Sequence, residues 1–184
     1  MFWEMPGKRN TQNTIDLAVS KAKDYGIQHI VVASNTGETA RLLKGCGLAV
    51  VCVSHQVGFR GPGIDEMASE ARAELLEAGM KVLTTTHVFA NIERAASNQF
   101  GGIYVGGITS ATLRMLGQGV KVATEIAIMA LDGGMIPFGE DVISIGGSGR
   151  GADTAIVICP AHSQDFFKTE IREIICKPRV LHNP

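Results

Sequence analysis

The sequence predicts an α/β protein, with a mostly parallel sheet between two layers of helices. Three observations carry that expectation. Short apolar runs alternate with helix-length segments, the order that builds parallel sheets with crossover helices. Runs such as "HIVVAS" and "LAVVCVSH" are apolar throughout, as befits strands buried on both faces. Glycines cluster just after the apolar runs, where loops of such folds meet ligands.

The elements follow in order. Asn10 or Thr11 caps a first helix; Ile15, Ala18, Val19 and Ala22 recur at helical spacing, and Gly26 ends it. "HIVVAS" is the first strand, "ETARLLKG" a short helix and "LAVVCVSH" the second strand. After the glycine-rich "VGFRGPG", a helix from Asp65 to Ala78 places Met67, Ala71, Leu75 and Ala78 near one stripe. "KVLTTTH" is the third strand, and Ile92, Ala95 and Ala96 mark the next helix. The stretch "ITSATLRMLGQGVKVATEIAIMALDGG" is helical with a break near Gly117 to Gly119. Its second half, Val120 to Leu131, is apolar on most faces, so it packs centrally or against a second subunit. "DVISIG" and "TAIVICP" are strands joined by "GSGRGAD", too short for a crossover, so they form an antiparallel hairpin and make the sheet mixed. A helix around Gln164 to Glu173 and a short strand "EIICKP" follow.

Composition narrows the function classes. The 184 residues suit one domain, residues 1–184 with short N- and C-terminal extensions, and 45% hydrophobic residues supply a sizeable core. Seventeen Lys and Arg against eighteen Asp and Glu, with no basic block, argue against nucleic-acid binding. There is no apolar run of membrane-spanning length and no secretory leader at the start, so the expected location is the cytoplasm, away from the membrane. Cys46, Cys52, Cys159 and Cys176 show no CxxC spacing, which points to reduced thiols and to no metal site.

The loop "ASNTGETA" carries the main functional signal. Ser34, Asn35, Thr36 and Thr39 surround Gly37 at the end of an apolar strand and the start of a helix. A helix start offers free N–H groups and the positive end of a dipole; Gly37 allows close approach, and the hydroxyls add donors. This is a phosphate-binding loop without a lysine, and it does not imply ATP hydrolysis. Glu38 opposes an anion electrically and suits the helix dipole from outside. The same residues also serve as ordinary turn and cap residues.

These residues resemble the C-terminal α/β domain of pyruvate kinase, where a strand runs into a Thr/Ser-x-Ser/Thr-Gly-x-Ser/Thr-Ala loop that holds a phosphate of the allosteric sugar bisphosphate. The matching positions are Ser34, Thr36, Gly37, Thr39 and Ala40, and "GEDVISIGGSGRGADTAIVI" resembles that domain's closing hairpin. The chain is more similar still to small proteins carrying this domain alone, which share "PGKxNT", "ASxTGETA", a "GF" loop, "LGQGVKVA" and "IGGxGRGADTA". That likeness runs from about Phe2 to Arg179. It implies a three-layer α/β/α fold with strand order 3-2-1-4-5, the last strand antiparallel. It implies none of pyruvate kinase's catalysis, whose barrel is absent, and the stand-alone group is associated with flavin mononucleotide (FMN).

In that order the first and fourth strands are neighbours, and a crevice opens between their carboxyl ends. One wall is "SNTGET". The other is Gly146, Gly147, Ser148, Gly149, Arg150 and Gly151, where glycines permit close approach, Arg150 pairs with phosphate or a flavin carbonyl, and Asp153 accepts from Arg150 or the ligand. A flexible turn with a surface Arg–Asp pair is the plainer alternative. His55 and His87 end two strands at the same edge, where they touch a substrate, act as acid and base, or merely cap strand ends. Gly58 and Phe59 are placed to cover a flat ring, and Lys8 to reach the crevice. Lys121 and Glu125, one turn apart, form an ion pair.

Two functions compete at this stage: an FMN-binding flavoprotein, with catalysis open, and a non-catalytic sensor of a sugar phosphate or nucleotide. Both take a phosphorylated small molecule. A hydrolase or isomerase using His55 or His87 lacks a readable nucleophile–base pair. The apolar segment Val120–Leu131 and the low charge also suggest a homo-oligomer.

Overall fold

The computed structural model describes residues 1–180. Its seven strands are β1 (Phe2–Trp3), β2 (His29–Ala33), β3 (Ala49–Ser54), β4 (Lys81–Thr84), β5 (Val142–Gly146), β6 (Thr154–Cys159) and β7 (Glu170–Pro178). The helices are α1 (Thr11–Tyr25), α2 (Glu38–Arg41), α3 (Ser69–Glu77), α4 (Ile92–Phe100), α5 (Val105–Arg114) and α6 (Gln118–Asp132). They build one sheet of order β1-β7-β6-β5-β2-β3-β4. Its centre, β4-β3-β2-β5-β6, is the expected 3-2-1-4-5. β2 pairs in parallel with β3 and β5, and β5 with β6 antiparallel.

Alternation along β2 sorts the core into two layers. Ile30 and Val32 face α1 and α3 with Ile15, Ala18 and Leu75. Val31 faces the other way, toward Ala123, Ile126 and Ala130 of α6. From Val120 to Leu131 only Val122 is not buried. That packing lies within the chain, against the sheet. The apolarity of this segment therefore reflects a central helix and does not call for a second subunit.

Close approach of α6 to the sheet rests on two glycines. A Cβ on Gly119 would run into the Thr154 side chain, and one on Gly146 would lie 2.9 Å from the Ala123 nitrogen. The Ser144 hydroxyl donates to the Ala123 carbonyl at 2.7 Å across the same contact.

The C-terminal segment departs from the expected helix. No helix spans Gln164 to Glu173; a 3-10 segment covers Ser163–Lys168, and β7 then runs nine residues. Register shifts between β6 and β7 put Ile171 opposite Ile158 and Ile174 opposite Ile156, both toward the α6 layer. The bulge opposite Val157 and Ile158 thus turns a strand's spacing of two into a spacing of three between Ile171 and Ile174. The helix expected over "ETARLLKG" is a single α-turn, α2, followed by further turns. β1, two residues long and parallel to β7, was not anticipated.

Gly119→Ala should lower stability by about 1–3 kcal/mol, the usual cost of overpacking. Gly149→Ala, whose added methyl meets open space, should leave the melting temperature unchanged. Thermal unfolding of the two variants checks this.

Candidate functional site

A cavity of about 680 Å³ opens at the carboxyl ends of the central strands. It is bounded by the β2–α2 loop, the β5–β6 loop, the residues after β3 and β4, and one side of α6. Arg94 of α4 and Arg114 of α5 stand at its outer rim. The sequence-predicted walls therefore meet in one space.

The β2–α2 loop is divided in its roles. The Ser34 hydroxyl is buried and accepts from the Thr39 N–H at 3.1 Å and the Ala40 N–H at 3.4 Å, so it caps α2. Thr39 is buried too, though it touches the cavity. Gly37 adopts φ 85°, and a Cβ there would point at Leu75 Cδ1 at 3.4 Å, into the core. Its glycine is needed for the left-handed turn and not for ligand approach. Asn35, Thr36 and Glu38 line the cavity, and no group among the described residues accepts from the N–H of Thr36, Gly37 or Glu38. Lys8 is held by Glu38 at 3.4 Å on the surface.

In the β5–β6 loop, residues Gly147 to Gly151 face the cavity, with Arg150 exposed and in no ion pair among the described residues. Two expectations fail here. Asp153 has no exposed surface. Its Oδ2 accepts from the Gly7 N–H at 2.9 Å and the Ser148 N–H at 3.2 Å, and its Oδ1 from the Thr154 hydroxyl at 2.9 Å. It therefore meets neither Arg150 nor a ligand. Gly146 serves helix packing, and Gly147 and Gly151 pack within the loop and against Lys8 and Thr11. Among the loop's glycines only Gly149 has open space around it.

The two histidines do come together. Their ring centroids are 5.3 Å apart, and Phe59 stacks on His55 at 3.8 Å. His55 Nδ1 pairs with Glu66 Oε1 at 2.6 Å, and His87 Nδ1 with Gln56 Oε1 at 2.5 Å. Both rings are thus oriented through Nδ1, and the described residues offer no partner to either Nε2. Burial pushes His87 below the ordinary histidine value. Burial alone would raise Glu66, yet His55 and Arg60 outweigh it and hold the carboxyl below the usual range. Gly58 shapes the loop at φ 89° and does not reach the cavity.

Sequence reasoning did not place Glu66, Arg60, Arg94 or Arg114 here. Lys121 and Glu125 do pair, but buried and in the cavity wall, with Glu125 Oε1 also accepting from the Phe89 N–H at 3.1 Å. Burial lowers the Lys121 pKa against the pull of Glu125. The available signal was two charges on an otherwise apolar helix, which burial obliges to pair. Among the described residues no group of three or more His, Cys, Asp and Glu could hold a metal, and no helix is long and apolar enough to cross a membrane.

A family model described as the pyruvate kinase alpha/beta domain matches residues 12–158. Among solved structures, a pyruvate kinase from Cryptosporidium parvum is similar at 17% identity and a TM-score of 0.43, covering 82% of this chain and 23% of the other. The Cryptosporidium parvum pyruvate kinase in complex with ADP is similar at 18% identity and a TM-score of 0.43, covering 82% of this chain and 24% of that one. The chain spans about a quarter of the length of these enzymes.

The depressed His87 pKa has a sign that can be measured. Between the folded and unfolded values the unfolded chain binds more protons, so stability rises with pH there. Stability should be full above about pH 6.5 and decline as the pH falls below it. His87→Gln should flatten that decline, as followed by denaturant midpoints across the range.

Proposed function

The chain belongs to the pyruvate kinase α/β domain family, and on that premise we propose that it binds a phosphate-bearing ligand, FMN first, in the cavity at the carboxyl edge of the sheet. One observation carries the reading: Thr36 and Glu38, whose backbone N–H groups are free, an unpaired guanidinium, and the stacked His55–Phe59 pair with His87 beside it line one cavity of about 680 Å³. That volume is in the range of cofactor pockets.

The division of labour follows from the residues. The N–H groups of Thr36 and Glu38 and the Arg150 guanidinium take the phosphate, as convergent donors do. The Phe59, His55 and His87 rings, stacked or tilted against one another, offer aromatic contact to a ring system. Bound flavin would supply electron and hydride exchange. The chain's part is to position the ring, exclude water, and hold or move a proton at the two unpartnered Nε2 atoms, His87 being the one that burial keeps neutral.

A second reading, a non-catalytic sensor of a sugar phosphate or nucleotide, is favoured by one feature. Arg94, Arg114 and Arg150 all stand around the cavity without an ion-pair partner among the described residues. That is more cation than a single phosphate requires.

An absorbance spectrum and titrations with FMN and riboflavin test the proposal. FMN should bind at least about tenfold more tightly than riboflavin, since one charge-assisted bond is worth roughly 1.5–3 kcal/mol. Arg150→Ala should remove most of that preference. A protein that takes up neither flavin overturns the FMN reading; uptake of sugar phosphates in its place establishes the second.

A further inference from the structure

Helices α4 and α5 form an arm whose apolar stripes face outward. On α4, Ile92, Ala96 and Phe100 recur at a spacing of four; on α5 and just beyond it, Val105, Ile108, Thr112 and Met115 recur at three and four. That is the spacing of a buried helix face. Yet α4 buries no residue at all. Ile92, Phe100, Ile103, Val105, Ile108 and Met115 are between 56% and 83% exposed. At roughly 100–150 Å² each they present on the order of 800 Å², above the largest patch of a typical monomer and near one partner's share of a standard interface.

The charge pattern selects the occupant. Residues 95–113 contain no Asp, Glu, Lys, Arg or His. A face that docks on a membrane surface is normally rich in Lys and Arg on its polar side. A face steered to a charged protein carries the opposite charge. This one has its charges only at its ends, Glu93 and Arg94 at one and Arg114 at the other, so its apolar middle meets its own copy about a twofold axis with no like charges opposed. We infer that the α4–α5 arm is the homodimer interface of this protein. The pairing covers both stripes at once. It also steadies the outer wall of the cavity, since Arg94 and Arg114 belong to the same two helices. The inference does not depend on which ligand the cavity holds.

Sedimentation velocity on the full chain tests it. The wild type should sediment as a dimer. Phe100→Glu/Ile103→Glu should sediment as a monomer with an unchanged far-ultraviolet circular dichroism spectrum. Val105→Lys/Ile108→Lys, on the other helix, should do the same independently, so misfolding of one variant leaves the other to decide. A wild type that stays monomeric at every concentration overturns the inference. So does a dimer that the folded variants leave intact.

Discussion

The buried carboxylate of Asp153 is the constraint on which the cavity depends. A fully buried charge is tolerated only when its oxygens are occupied. Here Gly7, Ser148 and Thr154 occupy them, and the Asp153 carbonyl accepts from Trp3 Nε1 at 2.8 Å. One residue thereby ties the N-terminal segment, the β5–β6 loop and the start of β6 together. The Thr11 hydroxyl adds a second tie by accepting from the Ala152 N–H at 3.1 Å. The loop that carries Arg150 is therefore a braced wall, and Gly147 and Gly151 are there because neighbouring chain lies against them.

On the opposite wall the same principle acts through α6. Gly119 and Gly146 allow the helix to press on the sheet, which brings Lys121 and Glu125 into the cavity lining as a buried pair. Removing either charge alone would strand the other. Glu125 also holds the Phe89 N–H, in the segment between β4 and α4, so the pair links the core helix to the approach of the arm. Polar groups in this cavity are thus either bound to one another, as with His55 and Glu66, or left free in one direction, as with the backbone N–H groups beside Gly37.

The central fold was legible in the sequence because its signals are local. Uniformly apolar runs marked β2, β3, β5 and β6, and the short "GSGRGAD" loop forced the hairpin. The start of β7 was placed too late, at Glu173, because a bulge set by pairing with β6 breaks the alternation between Ile171 and Ile174. β1 is too short to have a period. At the site, residues next to glycines were found, while Glu66, Arg94 and Arg114 were not, since tertiary packing alone brings them in. The roles of Gly37 and Asp153 were misassigned for a related reason. Glycine and aspartate in a loop look alike whether they face a ligand or the chain's own backbone, and the difference lies in contacts such as Gly37 with Leu75.

The most direct test of the central account is a crystal structure of the chain soaked with FMN. The phosphate should lie against the N–H groups of Thr36 and Glu38 within reach of Arg150, with the ring beside Phe59 and His55, and Asp153 unmoved. A phosphate seated instead at Arg94 and Arg114, or a flavin outside this cavity, would contradict it.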